Sequence, residues 1–318
     1  MPKNKKVLVV GDIIVDLYIV GENYRISDEA PVPILEVDDF ILKLGGASNV
    51  ANNIKNMGVE VILCGAIGSI SHDKNSVHFL EEMRKQNLLI DYIVEGDMRT
   101  TVKNRVVIKE QQVVRFDIED IMLSSKIIKD IITKLEKINF EEIGMVIVSD
   151  YKKGAICHDV MQFLKSKDVK IIVDPKPGNE DLYHKVFCIT PNLGEFNKLT
   201  FNNFHKDNLN DIKTAAEEYR KKMCFDCLII TLGELGALCC AEEGCKIISN
   251  HKVEVTNTIG AGDTFLSALC YAIMSGEDIF SSTMIANIGA SISVSKKYTS
   301  VCSVDEIKKY IIKQKCNE

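Results

Sequence analysis

The sequence predicts an α/β protein built on a mainly parallel central sheet, with a small β-lid inserted into it. Three observations carry this reading. Short, β-branched-rich apolar runs alternate with helical stretches along almost the whole chain, the pattern of a sheet with helices on its faces. The apolar runs are near-continuous rather than alternating, which suits strands buried on both sides. Two stretches, about 15–40 and 97–118, carry strand-like pieces and no helix. They read as small antiparallel strands, either a lid over a cleft or a surface hairpin or dimer contact.

The elements follow in order. Strands are expected at Lys6–Val10, Val61–Gly65, Met145–Ser149, Lys170–Val173, Phe187–Thr190 and Cys227–Thr231. A helix from about Ser48 to Met57 puts Val50, Ile54 and Met57 on one face. Further helices are expected at about Asn75–Gln86, Ser125–Ile138, Cys157–Lys165 and Asn210–Lys222, and the chain is helical from about Ala261 onward. In the first lid segment the strands flank a polar turn, Ser27-Asp28-Glu29-Ala30-Pro31. No repeat, low-complexity segment or Pro/Gly/Ser-rich linker divides the 318 residues, so they read as one domain.

Composition excludes several classes. With 46% apolar and 26% charged residues the chain is neither disordered nor fibrous. Its 39 basic against 45 acidic side chains leave no nucleic-acid footprint. No apolar run approaches the ~20 residues of a membrane span. The apolar start is interrupted by Asp12 and Asp16 too early for a signal peptide, so a cytoplasmic protein is expected. Eleven cysteines, an odd number, fit a reducing compartment. A zinc site from Cys224, Cys227, Cys239, Cys240 and Cys245 is conceivable. The stronger reading is two adjacent buried strands, Cys227–Thr231 and Ala237–Ala241.

Four groups of residues carry chemistry. Asn257-Thr-Ile-Gly260-Ala261-Gly262-Asp263-Thr-Phe opens an amphipathic helix. Its glycines admit close backbone approach and its first amides point outward, which makes an anion hole. A carboxylate at Asp263 repels phosphate, yet it suits removal of a proton from a nucleophile that attacks a phosphoryl group. The alternative is a first-turn acid complementing the helix dipole. Second, Gly45-Gly46-Ala47-Ser48-Asn49 permits close approach to a sugar, with the Asn49 amide offered to hydroxyls, or is a plain turn. Third, Asp12 and Asp16 follow the first strand, at the carboxyl edge where open α/β sheets bind ligands; they suit hydrogen bonding to sugar hydroxyls or are plain surface loop acids. Fourth, Asp150-Tyr-Lys-Lys153, Asp174-Pro-Lys176 and Asn192-Leu-Gly-Glu195 each follow a strand and should converge there. Asn192 and Glu195 either orient waters on Mg²⁺ or form a capping box. Thr231-Leu-Gly233-Glu-Leu-Gly236 is a Gly-bearing hairpin, either a nucleotide support or a turn. A Walker A sequence is absent, which excludes an ordinary P-loop fold. No G-x-G-x-x-G follows the first strand, which weakens a dinucleotide reading.

Together these motifs resemble the ribokinase-like, or PfkB, family of carbohydrate kinases, over about residues 5–300 and in the family's order. The resemblance implies a three-layer ribokinase-like sandwich, with ATP and Mg²⁺ as cofactors. It implies Asp263 as catalytic base and Gly260, Ala261 and Gly262 as the anion hole. It places Asp12, Asp16, Gly45, Gly46 and Asn49 at the sugar. Asn192 and Glu195 would tune Mg²⁺ and phosphate, Glu195 through water. Thr231, Gly233 and Gly236 would support the nucleotide, and Asn287 would close the adenine pocket. The family often has Asp where this chain has Asn257, which bears on any monovalent-cation contact made there.

Within the family, Arg25-Ile-Ser-Asp-Glu-Ala-Pro-Val-Pro33, Gln111-Gln-Val-Val-Arg115-Phe-Asp117, Ser149–Gly154 and Asp174–Lys176 resemble the members acting on D-glycero-β-D-manno-heptose 7-phosphate. Those members phosphorylate carbon 1 for ADP-heptose synthesis. A substrate that already carries phosphate needs cations at its far end. Arg25, Arg105, Arg115, Lys153 and Lys176 are the candidates, beside Asp150. Lys152 stands where the Ser-Asp-Tyr run usually continues with Gly. No nucleotidyltransferase domain is expected here, so adenylyl transfer would fall to a separate protein. A homodimer through the lid strands is expected, because exposed sheet edges invite pairing. The alternatives are a ribokinase- or fructokinase-like sugar or nucleoside kinase, a non-catalytic sugar-sensing module, and a nicotinamide oxidoreductase.

Overall fold

The computed structural model describes residues 5–22, 24–109, 111–250 and 253–315. Asn23 and Glu110, inside the two expected lid segments, lie outside the described residues. The first part of the chain forms β1 (Lys6–Gly11), β2 (Ile13–Gly21), β3 (Tyr24–Ile26), β4 (Pro33–Leu35), β5 (Asp39–Gly46), α1 (Ala47–Asn56), β6 (Val61–Gly68) and α2 (Lys74–Lys85). Then come β7 (Ile93–Gly96), β8 (Thr101–Ile108), β9 (Gln111–Ile118), α3 (Ser125–Glu136), β10 (Ile143–Ser149), α4 (His158–Lys165), β11 (Ile171–Asp174) and β12 (Cys188–Ile189). The last part forms α5 (Leu193–Thr200), α6 (Leu209–Met223), β13 (Cys227–Thr231), β14 (Ala237–Ala241), β15 (Gly244–Ile248), α7 (Ala261–Met274), α8 (Ile279–Val294) and α9 (Val304–Lys315).

Nine strands make the main sheet, in the order β15-β14-β13-β12-β11-β10-β1-β6-β7. β7 to β13 run parallel, and the β13–β14–β15 edge is antiparallel. β1 shows why the expected strands are found. Val7 and Val9 enter one core with α1, α7 and α8; Leu8 and Val10 enter the other with α3, α4, α5 and α6. A strand covered by helices on both faces must be apolar at every position, and each such side chain contributes roughly 1.5–3 kcal/mol by burial. No helix among the described residues is long and apolar enough to cross a membrane.

The lid is a separate four-stranded sheet, β5-β2-β8-β9, and it corrects two expectations. β5 reaches Gly46, beyond the expected boundary near 40. β2 and β8 pair in parallel rather than antiparallel, because the main-sheet units between them bring the chain back in the same direction. The Arg25–Pro33 run forms a small hairpin, β3 with β4. Arg25, Ile26 and Val32 are exposed there.

Register fixes which lid residues share a face. One rung reads Lys43–Asp16–Lys103–Asp117 and the next Ile41–Tyr18–Arg105–Arg115. Side chains alternate along a strand, so both rungs face the same way. The rung between them, Leu42–Leu17–Asn104–Phe116, and the one beyond, Phe40–Ile19–Val106–Val114, face the opposite way. Tyr18 and Asp16 bond Thr299 of the body, so the charged face is turned to the cleft.

The cysteine expectation needs one correction. Cys227 and Cys239 are buried strand residues, as expected, but Cys240 and Cys245 are joined by a disulfide across the β14–β15 hairpin. Their direct pairing in the ladder brings the two side chains together. Cys224 is exposed at the end of α6, away from any shared cation geometry with Cys227.

Candidate active site

The carboxyl ends of β1, β10, β11, β12 and β13 meet the amino ends of α1 and α7 at one edge of the main sheet. Both helices begin at a glycine whose backbone is left-handed. Gly46 has φ +53° and Gly260 has φ +78°. A Cβ on Gly260 would stand 2.9 Å from Asn49 Nδ2, so the turn also needs the missing side chain.

Asp263 lies in the first turn of α7 and is 5% exposed. Asn49 Nδ2 donates to its Oδ2 at 2.7 Å, and the Tyr151 hydroxyl donates to its Oδ1 at 3.0 Å. Burial raises its pKa to about 6, against the lowering effect of those two donors. Asn49 therefore orients the carboxylate through one of its two amide hydrogens. Asn53 Nδ2 holds it in turn, donating to its Oδ1 at 3.2 Å. A Cβ on Gly262, next to the acid in the chain, would meet nothing within 4 Å. The Ala261 N–H is partly engaged, donating to Thr258 O at 3.3 Å.

Asp12 and Asp150 turn out to organise backbone. Asp12 accepts the N–H groups of Tyr151 at 2.8 Å, Lys153 at 3.0 Å and Ala155 at 3.0 Å. Burial, followed by the neighbouring Asp150, raises its pKa to about 6. Asp150 accepts from Lys152 N at 2.7 Å, Asn179 Nδ2 at 2.8 Å and the Tyr183 hydroxyl at 2.5 Å. These contacts fix the loop after β10 and so place Tyr151 on Asp263. Lys152 adopts φ +58°, a conformation that favours glycine, which accounts for the glycine usual at this place in the motif.

The expected phosphate cations are all ion-paired or exposed. Arg105 bonds Asp16 at 2.7 Å with both side chains nearly inaccessible. Arg115 pairs with Asp117 at 2.9 Å, Lys153 with Glu119 at 2.5 Å, and Lys176 with Glu195 at 3.4 Å. Asp16 also accepts from Thr299 Oγ1 at 3.0 Å. Sequence reasoning missed Lys103, whose ammonium lies 4.6 Å from the centre of the Tyr151 ring. The available signal was its spacing, two residues before Arg105 on a strand of period two. Thr299 was missed as well, and Tyr151 and Asp174 were named only as members of their motifs; their roles come from contacts between distant segments.

On the other side, Asn192 and Glu195 form a reciprocal capping box at α5, at 2.9 and 3.1 Å. Asp174 is close by. Burial raises its pKa well above the ordinary range, with Glu195 and Asp263 adding repulsion. Asp174 and Glu195 are the carboxylates at this end of the site that could supply oxygens to a divalent cation. Thr231 bridges to Asn192, and Gly233 and Gly236 have φ +66° and +94°. A Cβ on Gly236 would meet Ile248 O at 2.1 Å. Asn287 Nδ2 donates to Ile248 O at 2.8 Å, pinning the segment after β15. Asn257 Oδ1 accepts the Ile259 N–H at 3.0 Å, so it caps the loop, and no cation contact is assigned to it.

Residues 4–306 match the family described as pfkB family carbohydrate kinase. The bifunctional protein HldE of Helicobacter hepaticus is 35% identical over 322 residues, 99% of this chain and 65% of that protein. The HldE of Nitratiruptor sp. is 34% identical over 96% of this chain and 64% of its own length. The chain thus spans just under two thirds of these relatives. Among solved structures, phosphofructokinase-2 of Escherichia coli in complex with fructose-6-phosphate is similar at a TM-score of 0.79 and 17% identity, covering 96% of this chain and 97% of that one. Ribokinase of Thermotoga maritima is similar at 0.73 and 19%, covering 97% and 99%. At these identities the likeness is one of fold.

Proposed function

The chain belongs to the pfkB family of carbohydrate kinases, and on that premise we propose that it phosphorylates D-glycero-β-D-manno-heptose 7-phosphate at the anomeric hydroxyl. The product would be the 1,7-bisphosphate used for ADP-heptose synthesis in the cytoplasm, where ATP is made available. A downstream adenylyltransferase is the partner activity such a product calls for. The likeness to proteins named HldE over nearly the whole chain supports the substrate. The observation that carries the chemistry is the buried Asp263, oriented by two donors beside the open start of α7.

In this reading the sugar lies under the charged face of the lid, with Asp16 at its hydroxyls and Gly45–Gly46 against it. ATP lies along Thr231–Gly236. Asp263 accepts the proton of the attacking hydroxyl, and the amides of Gly262 and its neighbours receive the charged phosphoryl oxygens. Mg²⁺, when bound near Asp174 and Glu195, would neutralise phosphate charge. The hydrogen bonds of Tyr18 and Asp16 to Thr299 tie the lid to the body beside this space, an arrangement that would limit the access of water to the acceptor.

One observation favours a second reading. The pairing of Arg105, Arg115, Lys153 and Lys176 with protein carboxylates suits an acceptor without phosphate, such as ribose or fructose. ADP release with ATP·Mg²⁺ decides between them. The panel is the manno-heptose 7-phosphate, sedoheptulose 7-phosphate, fructose 6-phosphate, ribose, fructose and adenosine. Preference for the heptose phosphate supports the first reading, and preference for an unphosphorylated sugar replaces it.

Two predictions arise here. A Cβ on Gly45 would stand 2.8 Å from Asp16 Oδ2, and Arg105 and Thr299 prevent that carboxylate from yielding. Gly45→Ala is expected to raise the KM for the sugar by about tenfold or more while leaving that for ATP unchanged. Steady-state kinetics in both substrates checks it. The outer lid face, with Phe40 63%, Val114 50% and Phe116 49% exposed, is proposed to pair two copies of the chain. Phe116→Lys is then expected to turn a dimer into a monomer by sedimentation.

A further inference from the structure

We infer that Lys103 is a catalytic residue of this kinase, its ammonium taking the oxygens of the phosphoryl group in transit. The inference rests on the kinase reading above. Four cations expected from the sequence to meet phosphate are already neutralised by a protein carboxylate. Lys103 forms no ion pair among the described residues; its partner is the face of the Tyr151 ring. That residue is itself anchored, its backbone N–H donating to Asp12 and its hydroxyl to Asp263. The ammonium therefore stands one ring away from the base.

The electrostatics agree with the placement. Burial lowers the pKa of Lys103, while Asp16 and Asp263 draw it back up, and Arg105 and Arg115 oppose them. Lys103 sits beside Asp16 in the lid rung, so it spans the space between the carboxylate assigned to the sugar and the carboxylate assigned to the proton. A cation–π contact is a weak substitute for a counter-ion, about 0.5–2 kcal/mol. An entering phosphoryl oxygen offers a charge-assisted hydrogen bond instead.

The step balances without consuming the lysine. The sugar hydroxyl gives its proton to Asp263, and its oxygen forms the new bond to phosphorus. The bond from phosphorus to the bridging oxygen breaks, and ADP leaves with that electron pair. Lys103 donates hydrogen bonds to the transferring oxygens throughout and ends protonated. The alternative is structural: Lys103 packs the lid against Tyr151.

Lys103→Met and Lys103→Arg separate these roles. Expected for Lys103→Met is a fall in kcat of about 10²–10³-fold, the scale for losing one charge-stabilising donor, with the KM for ATP within a few-fold of wild type. The acid limb of kcat/KM should move to higher pH, because Asp263 loses a nearby positive charge. Lys103→Arg should recover part of kcat. The inference is overturned if Lys103→Met changes only the KM for the sugar, or if the Arg and Met variants are equally impaired with no movement of the limb. Should Lys103→Met fail to fold by circular dichroism, Lys103→Gln carries the same comparison. Wild-type enzyme inactive on every sugar of the panel would instead remove the kinase reading and this inference with it.

Discussion

Asp263→Asn removes about 10²–10⁴-fold of turnover, the usual worth of a general base, and leaves ATP binding nearly unchanged. The variant keeps the shape of the side chain and acceptance at one oxygen, so Asn49 or Tyr151 retains a partner. What disappears is the group that receives the hydroxyl proton. The pH profile adds a second reading. With the Asp263 pKa at about 6, the base is ionised above that pH and protonated below it. Wild-type kcat/KM should therefore fall as pH drops through about 6. The residual rate of Asp263→Asn should keep only whatever limb the substrate phosphates contribute. Isothermal titration with ATP and a rate profile from pH 5 to 8 check both parts. Turnover within a few-fold of wild type would remove Asp263 from the mechanism.

Asp12→Ala should cost stability rather than a single contact. Three backbone N–H groups, of Tyr151, Lys153 and Ala155, lose their acceptor. A buried donor left unmet costs about 1–3 kcal/mol, so a loss of roughly 3 kcal/mol or more is expected, offset in part because a buried carboxylate is removed. Turnover should collapse as well, since the loop places Tyr151 on Asp263. The sign with pH is specific. The folded-state pKa of Asp12 is raised to about 6, so its ionisation weighs against the fold above that pH, and the penalty fades as pH falls through it. Wild type gains this stability on acidification and the variant does not. The gap in melting temperature should therefore be wider at pH 5 than at pH 8.

The sequence made the scaffold readable because burial on two faces demands unbroken apolar runs, and β1, β10 and β13 have them. The glycine-started helices were readable too, since left-handed turns such as Gly260 leave few choices of residue. Partners were not readable. Nothing in spacing says that Arg105 will meet Asp16, or that Asn49 will serve Asp263 from 214 positions away. Asp12 was expected at hydroxyls because a carboxylate at a strand end suits both a sugar and a loop, and spacing does not show its hold on the loop's three amides, 139 to 143 positions away. The Asn192–Glu195 spacing satisfied two motifs at once, and the capping geometry is present whether or not a cation also uses the glutamate. β5 was missed because Phe40–Leu44, interrupted by Lys43, reads ambiguously until its pairing with β2 shows the lysine turned to the cleft.

The lid is one layer thick, and its two faces do unrelated work along the same strands. Asp16 and Tyr18 point to the cleft while Leu17 and Ile19 point away. Inserting or deleting one residue within β2 or β8 would exchange those faces along the rest of the strand. It would carry Lys103 or Arg105 into the apolar surface and leucine or valine into the site. Divergence of the acceptor site must therefore proceed by substitution at every second position. Length variation among related chains should be confined to segments beyond the strand ends, such as the β3–β4 hairpin.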